Sequence, residues 1–262
     1  MHSSNDYIEL GLPGFETTRH YREVSSTMDV AKEWLECRSA QGQGHALMVA
    51  DCQTQGRGRQ GRQWLSGDGA FMGTFVFEVE LPRAALSGYS LAIGVGISRA
   101  LRDCNVPVSL KWPNDLVVAV GHSFRKLGGI LVEVHDIRSR TFLLVGLGIN
   151  VTPAPSDVGH LAISLQELGG SKLRSTDLIR PIATRVAEAH QSFSLGGGLT
   201  PFLSEWRSLS AFRPSHTRLA IDLGAETVSG VYIDIDQSGA LLLSDGKRTR
   251  LVHSGHIVEV TY

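Results

Sequence analysis

Residues Val49 to Arg62 read V-A-D-C-Q-T-Q-G-R-G-R-Q-G-R, a strand that runs into a loop holding three glycines and three arginines. Gly56, Gly58 and Gly61 can take positive φ or let a ligand approach the backbone, and Arg57, Arg59 and Arg62 carry forked donors suited to phosphate or carboxylate. The stretch reads as an anion clamp or as a solvated basic turn. It is not a G-x-x-x-x-G-K-[ST] phosphate loop, and it lacks the third glycine of a dinucleotide fingerprint. Other chemistry-bearing stretches lie along the chain: Ser26-Thr27-Met28-Asp29, Lys111-Trp112-Pro113-Asn114-Asp115, Lys126 ahead of L-G-G-I-L-V-E, and G-L-G-I-N from Gly146 to Asn150.

The elements that must position these groups follow from periodicity. Arg19 to Val24 is a short strand, and Ser26 opens an [ST]-x-x-[DE] helix start running through about Arg38, with Val30, Trp34 and Leu35 as its apolar stripe. Ser26 and Thr27 serve there as caps or face a ligand. Leu47 to Cys52 and Ala70 to Glu80 are strands, and Gly88 to Asp103 is a core helix with Leu91, Val95 and Leu101 on one side. Val108 to Trp112 is a strand whose end is set by the proline that follows. Leu116 to Val120 and Lys126 to His135 form a hairpin around Gly121-His122-Ser123. Thr141 to Val151 is a strand in which Gly146 and Gly148 imply close approach by a ligand or another backbone. Pro153 to Gly159 is a loop, Ser164 to Gly170 a short helix, Asp177 to Ser194 a helix capped by Thr176, and Pro201 to Leu209 another helix. Beyond Pro214 the pattern changes to five short β runs, which predicts a small barrel or sandwich. The expected division is a lead-in over 1–18, a main domain over 19–214 and a β domain over 215–262.

Composition narrows the classes. A chain of 262 residues that is 42% hydrophobic suits a globular protein of one large domain with a small appendage. Its formal net charge of -1 gives no general argument for nucleic acid. The three cysteines, Cys37, Cys52 and Cys104, are scattered and odd in number, as expected of free thiols in the cytoplasm. The N-terminal segment is too short for an independent DNA-binding domain, and no membrane segment is expected. His253 and His256 have H-x-x-H spacing but no third ligand nearby, and read as ordinary surface histidines.

Taken together and in this order, S-S-T-M-D, Q-T-Q-G-R-G-R-Q-G-R-Q-W, K-W-P-N-D, K-L-G-G-I-L-V-E and G-L-G-I-N resemble the biotin protein ligases, over most of residues 20 to 260. The resemblance implies an α/β (α+β) catalytic domain with a mixed sheet, followed by an SH3-like β domain, in the monofunctional type without an N-terminal DNA-binding domain. It implies ATP-dependent activation of biotin to biotinyl-5'-adenylate and transfer to a lysine of the biotin carboxyl carrier protein, with Mg2+ and with a homodimer as one possible assembly. By the same resemblance Ser26, Thr27, Gln53, Arg57, Gly58, Arg59, Lys126, Gly129, Gly146 and Gly148 bind biotin. Arg57, Arg59, Arg62, Trp64, Lys111, Asn114, Lys126 and Asn150 bind ATP or the adenylate, and Lys126, Arg59 and Asp115 are catalytic. Asp115 either ligates Mg2+ or helps deprotonate the carrier lysine.

Chemistry supplies reasons of its own for these types. A carboxylate attacking an α-phosphate meets like charge, so cations must screen it, and a ureido ring needs a few placed polar groups among apolar walls. The chain departs from the family pattern at Met28, where Asn is common, at Gln60, where Arg is common, and in a longer 115–126 segment. The loop from Thr54 to Trp64 is expected to close over the adenylate. The alternative of the same fold is a lipoate or octanoyl ligase or transferase.

Overall fold

The structure, a computed structural model, describes residues 6–37, 44–121, 123–153, 162–169 and 172–262. In chain order it begins with β1 (Tyr7–Glu9), β2 (Phe15–Val24), α1 (Thr27–Cys37), β3 (His45–Gln53), β4 (Phe71–Val79) and α2 (Tyr89–Asp103). Then come β5 (Ser109–Lys111), β6 (Asp115–Val120), β7 (Ser123–Ile137), β8 (Arg140–Ile149), α3 (Ser175–Ser192) and α4 (Leu203–Leu209). The last strands are β9 (Arg218–Asp222), β10 (Thr227–Ile235), β11 (Leu241–Ser244), β12 (Thr249–Val252) and β13 (His256–Thr261).

Eight strands form a mixed sheet in the order β1-β2-β3-β4-β8-β7-β6-β5. Only β2 and β3 pair in parallel, because α1 carries the chain across between them. Period-two alternation gives the sheet two apolar faces. Leu47, Val49, Phe71, Phe75, Phe77, Leu143 and Val145 face α2 and α3, while Ala46, Met48, Ala50, Val76, Phe142 and Leu144 face α1. Helix α2 is buried on most sides, from Tyr89 to Leu101, which accounts for the nearly continuous apolar run in its sequence. The helical span Arg83–Asp103 is long and apolar enough to cross a membrane by length and composition, but it is packed as core.

The second sheet is five-stranded and antiparallel, in the order β12-β11-β10-β9-β13. Its inner residues Leu219, Ile221, Tyr232 and Leu241 belong to the same apolar cluster as α2 and α3. The buried Trp112 fixes the two sheets together, its indole N–H donating to the Gly239 carbonyl at 2.9 Å. The Trp112–Pro113 bond is cis.

Several expectations are corrected. The segment read as a lead-in supplies β1 and the first residues of β2, so the large sheet begins before residue 19. The buried face of α1 is Met28, Ala31 and Leu35; Val30 and Trp34 are only partly covered. Residues 165–169 form turns and not a helix, and Gly170 lies outside the described residues. Helix α3 starts at Ser175, and Asp177 caps it by accepting the Arg174 N–H at 2.9 Å, so Thr176 is not the cap. Arg38, His122 and residues 154–159 of the expected loop also lie outside the described residues.

Candidate active site

A cleft opens where side chains disappear from the α1 face of the sheet. Along β8 that face runs Phe142, Leu144, Gly146, Gly148: two buried apolar side chains, then none. Register extends the gap sideways. Gly148 is paired with Met72 on β4 and with Gly129 on β7, Gly129 with Asp115 on β6, and Asp115 with Lys111 on β5. On the neighbouring rung Gly146 lies between Thr74 and Leu131. The start of α1, the arginine loop and residues 255–257 close the sides, enclosing about 1010 Å3 with the solvent mouth included.

The glycines are required by what lies on them. A Cβ at Gly146 would stand 2.9 Å from Met28 Sδ, and one at Gly148 would stand 2.5 Å from Trp64 Cε2. Met28, the departure from the family pattern, thus forms apolar wall over Gly146. At Gly129 the absent side chain leaves space for Lys126, whose Nζ would be 3.3 Å from a Cβ there.

One end of the cleft is polar and uncharged. Gln53 Oε1 accepts from the Thr27 backbone N–H at 2.7 Å and from the Thr27 hydroxyl at 3.0 Å. The backbone donor settles which way the amide points and leaves its NH2 to donate elsewhere. Thr74, buried on β4, donates to Thr27 Oγ1 at 2.8 Å. Ser26 Oγ accepts the Met28 N–H at 3.3 Å, so the capping reading holds for this helix start, and Ser26 and Thr27 also line the cleft.

The other end is cationic. Lys126 Nζ is 2.6 Å from Asp115 Oδ1 and 5.7 Å from the centre of the Trp64 ring. Arg59 donates to Asn114 Oδ1 at 3.1 Å, while Asn114 Nδ2 donates to the Ile130 carbonyl at 2.8 Å; the asparagine therefore holds the arginine to the floor. Burial pulls the Arg59 guanidinium below its usual range, Asp115 opposing and Arg62 reinforcing the shift. Burial also lowers Lys111, again against Asp115 and together with Lys126. Cations held partly out of water gain more from an anionic ligand than solvated ones do.

The loop is a closed turn. Gly58 donates to the Arg62 carbonyl at 2.8 Å and Trp64 to the Gly56 carbonyl at 2.9 Å. Only Gly61 of its three glycines has positive φ, 71°, shared with Gln60 at 58°; Gly58 is extended. Gly56 is instead a close-approach position, its Cβ site lying 2.7 Å from the Trp64 carbonyl. Arg57 reaches back to Asp29 on α1 at 2.8 Å, a strut between loop and helix. The indole N–H of Trp64 is buried without a partner among the described residues.

The structure gathers Ser26, Thr27, Gln53, Arg57, Gly58, Arg59, Arg62, Trp64, Lys111, Asn114, Asp115, Lys126, Gly129, Gly146 and Gly148 around this cleft. Asn150 is the exception: buried behind it, its Nδ2 donates to the Lys126 and Ile163 carbonyls at 3.3 Å, which supports the strand that carries Lys126. Two residues were missed. Thr74 could have been found as the one hydroxyl in F-M-G-T-F-V-F, whereas His256 reaches the cleft from β13, a distance in sequence that no local pattern spans. Desolvation lowers the His256 pKa, with Arg62 and Lys111 adding to the shift and Asp115 and Asp222 opposing it, so its reading as an ordinary surface histidine is corrected.

Comparison with known proteins places this geometry. Residues 21–150 match the biotin/lipoate A/B protein ligase family. The biotin–[acetyl-CoA-carboxylase] ligase of Mycobacterium tuberculosis is 33% identical over 221 residues, covering 82% of this chain and 79% of that protein. The bifunctional ligase/repressor BirA of Escherichia coli is 34% identical over 229 residues, covering 84% of this chain and 68% of that protein. Among solved structures, a biotin protein ligase from Aquifex aeolicus in complex with biotin and ATP superposes with a TM-score of 0.77 at 27% identity, over 94% of this chain and 99% of that one.

Proposed function

The chain belongs to the biotin/lipoate A/B protein ligase family, and from that premise we infer that it is a biotin protein ligase. It activates biotin with ATP to biotinyl-5'-adenylate and transfers biotin to a lysine of the biotin carboxyl carrier protein of acetyl-CoA carboxylase. The observation that carries this reading is the two-ended cleft, with buried uncharged polar groups at one end and partly desolvated cations at the other. The residues from β1 through 214 are assigned to the catalytic unit and 215–262 to a small β domain, and the three free cysteines support a cytoplasmic setting.

The ureido ring of biotin, with two N–H donors and a carbonyl, fits the end formed by Ser26, Thr27 and Gln53; Met28 and the glycine floor take the apolar body. Its carboxylate then points towards Lys126. In the first step a carboxylate oxygen bonds to the α-phosphorus of ATP, and the bond to the β-phosphate oxygen breaks, releasing pyrophosphate. Lys126 and Arg59 screen the approach of the two anions and hold the charge that builds on the α-phosphate oxygens. Arg62 and Lys111 extend the cationic surface to the outer phosphates, and Trp64 offers an aromatic face to the adenylate. Asn114 acts through Arg59. In the second step the neutral carrier amine attacks the acyl carbon and AMP leaves, the amine giving up a proton. Among the described residues Asp115 is the one carboxylate lining the cleft, and in this reading it receives that proton.

No cluster of three or more His, Cys, Asp or Glu side chains among the described residues could cage a metal. That fits magnesium, which binds through one or two carboxylates, water and substrate phosphates. Asp115 would be its protein ligand, and the ion would neutralise phosphate charge.

A lipoate ligase would place an apolar dithiolane against the NH2 of the Gln53 amide, whose oxygen is already taken by Thr27, leaving that donor without a polar partner, and for this reason it is the weaker reading. Biotin-dependent ATP–pyrophosphate exchange tests the choice. Exchange with biotin and none with lipoate is expected; exchange with lipoate alone contradicts the assignment.

A further inference from the structure

We propose that His256 is a positioning residue for the adenylation step: from β13 it holds Arg62 over the cationic end of the cleft and makes the C-terminal sheet part of the nucleotide site. The inference rests on the biotin ligase reading and adds to it a residue outside the catalytic unit.

Three observations carry it. First, His256 Nδ1 is 3.3 Å from Arg62 Nη1. A guanidinium only donates, so Nδ1 must be the acceptor and the ring proton sits on Nε2, leaving the imidazole neutral. Second, His256 lines the cleft with its neighbours Gly255 and Ile257. The start of β13 lies so close to β9 that a Cβ at Gly255 would be 2.5 Å from Ile221 Cγ2, and Ile257 pairs with Ile221 in register. Glycine at 255 therefore lets the strand seat His256 at the mouth. Third, among the described residues the Arg62 side chain is otherwise held only by Gln60 Oε1, 3.2 Å from its Nη2, in a neighbourhood where Arg59 and Arg62 repel each other.

An exposed arginine beside other cations swings into water unless an acceptor holds it. A carboxylate would hold it but would cancel the charge that an incoming triphosphate needs. Neutral imidazole supplies the acceptor and keeps the charge. Arg62 then pays less conformational entropy when the nucleotide binds, so the effect belongs to ATP and not to biotin.

The test is biotin-dependent ATP–pyrophosphate exchange with the full chain, alongside thermal melting. His256→Ala should raise the KM for ATP by roughly two- to tenfold, the scale of immobilising one rotamer-rich side chain, with the KM for biotin unchanged. His256→Asn, whose Oδ1 can accept near the Nδ1 position, should restore most of it, and His256→Asp should not. Arg62→Ala should raise the same KM, and adding His256→Ala to it should change little further. Multiplying single effects, an unchanged KM for ATP, or equal loss for ATP and biotin with a lowered melting temperature and no rescue by Asn would each overturn the proposal. Wild-type protein that shows no biotin-dependent exchange would fail the ligase reading itself and take this inference with it.

Discussion

Adding one methyl group to the cleft floor, Gly148→Ala, should damage adenylation and leave the fold standing. The new carbon would lie 2.5 Å from Trp64 Cε2, 2.6 Å from Cζ2 and 2.9 Å from Nε1. Relaxed contacts between carbons need about 3.5–4.0 Å, so the clash amounts to roughly 1 Å. The strand cannot withdraw, because β8 is paired on one side through Met72 and on the other through Gly129. The indole must move instead, and displacing it strains the end of the arginine loop, which the Trp64 backbone N–H ties to the Gly56 carbonyl at 2.9 Å. Displacement of that order in a substrate-positioning group costs about 10²-fold in rate. The assay is biotin-dependent ATP–pyrophosphate exchange, read as kcat/KM for ATP. Gly146→Ala is the control: its methyl would meet the flexible thioether of Met28, with Sδ at 2.9 Å and Cγ at 3.3 Å, and the loss should be roughly tenfold or less. Near-wild-type kcat/KM in Gly148→Ala would refute the claim that Trp64 on Gly148 helps build the nucleotide site.

Lys126→Met should lower the adenylation rate by roughly 10²-fold or more, the scale of a preorganised charge stabiliser; exchange at wild-type rate would remove Lys126 from that role. Thr27→Val takes away the donor to Gln53 at 3.0 Å and leaves the Thr74 hydroxyl without its acceptor, so calorimetry should show biotin binding weakened by ~1–3 kcal/mol. Unchanged affinity would confine Thr27 to helix capping. His190 is buried against Phe77 and Tyr89, and burial, followed by the charge of His45, brings its pKa down to about 3 from 6.5. The folded state thus resists a proton that the unfolded state accepts: this contribution is constant above pH 6.5 and is lost as pH falls towards 3, by at most about 1.4 kcal/mol per pH unit. His190→Phe should flatten denaturant-derived stability over that window, and an identical slope in both proteins would contradict the assignment.

Much of this architecture is legible in the sequence because its signals are local. The apolar run F-M-G-T-F-V-F-E-V and the five runs after Pro214 gave strands within a residue or two of those observed, and Ser26 to Asp29 gave the start of α1. Gly146 and Gly148 implied close approach by a ligand or another backbone, whereas the groups that lie on them are side chains, Met28 and Trp64. What was not legible depends on pairing between distant segments. Tyr7 to Glu9 is too short and polar to read as a strand, and it becomes one because β2 offers it an edge. Asn150 faces away from the cleft because two carbonyls behind the floor take its amide. Arg57 looked equivalent to Arg59 in sequence, yet Asp29 draws one outward while Asn114 holds the other in. His256 belongs to the site only through the packing of the second sheet on the first.

The central claim is that one cleft activates biotin and passes it to a carrier lysine. It is tested most directly by incubating the protein with ATP, magnesium, biotin and a purified biotin carboxyl carrier protein, then weighing the carrier by intact-mass spectrometry. A single biotin increment on one carrier lysine is expected, dependent on ATP and formed roughly 10²-fold or more slowly by Lys126→Met. No increment on a carrier that a control ligase labels under the same conditions would contradict it.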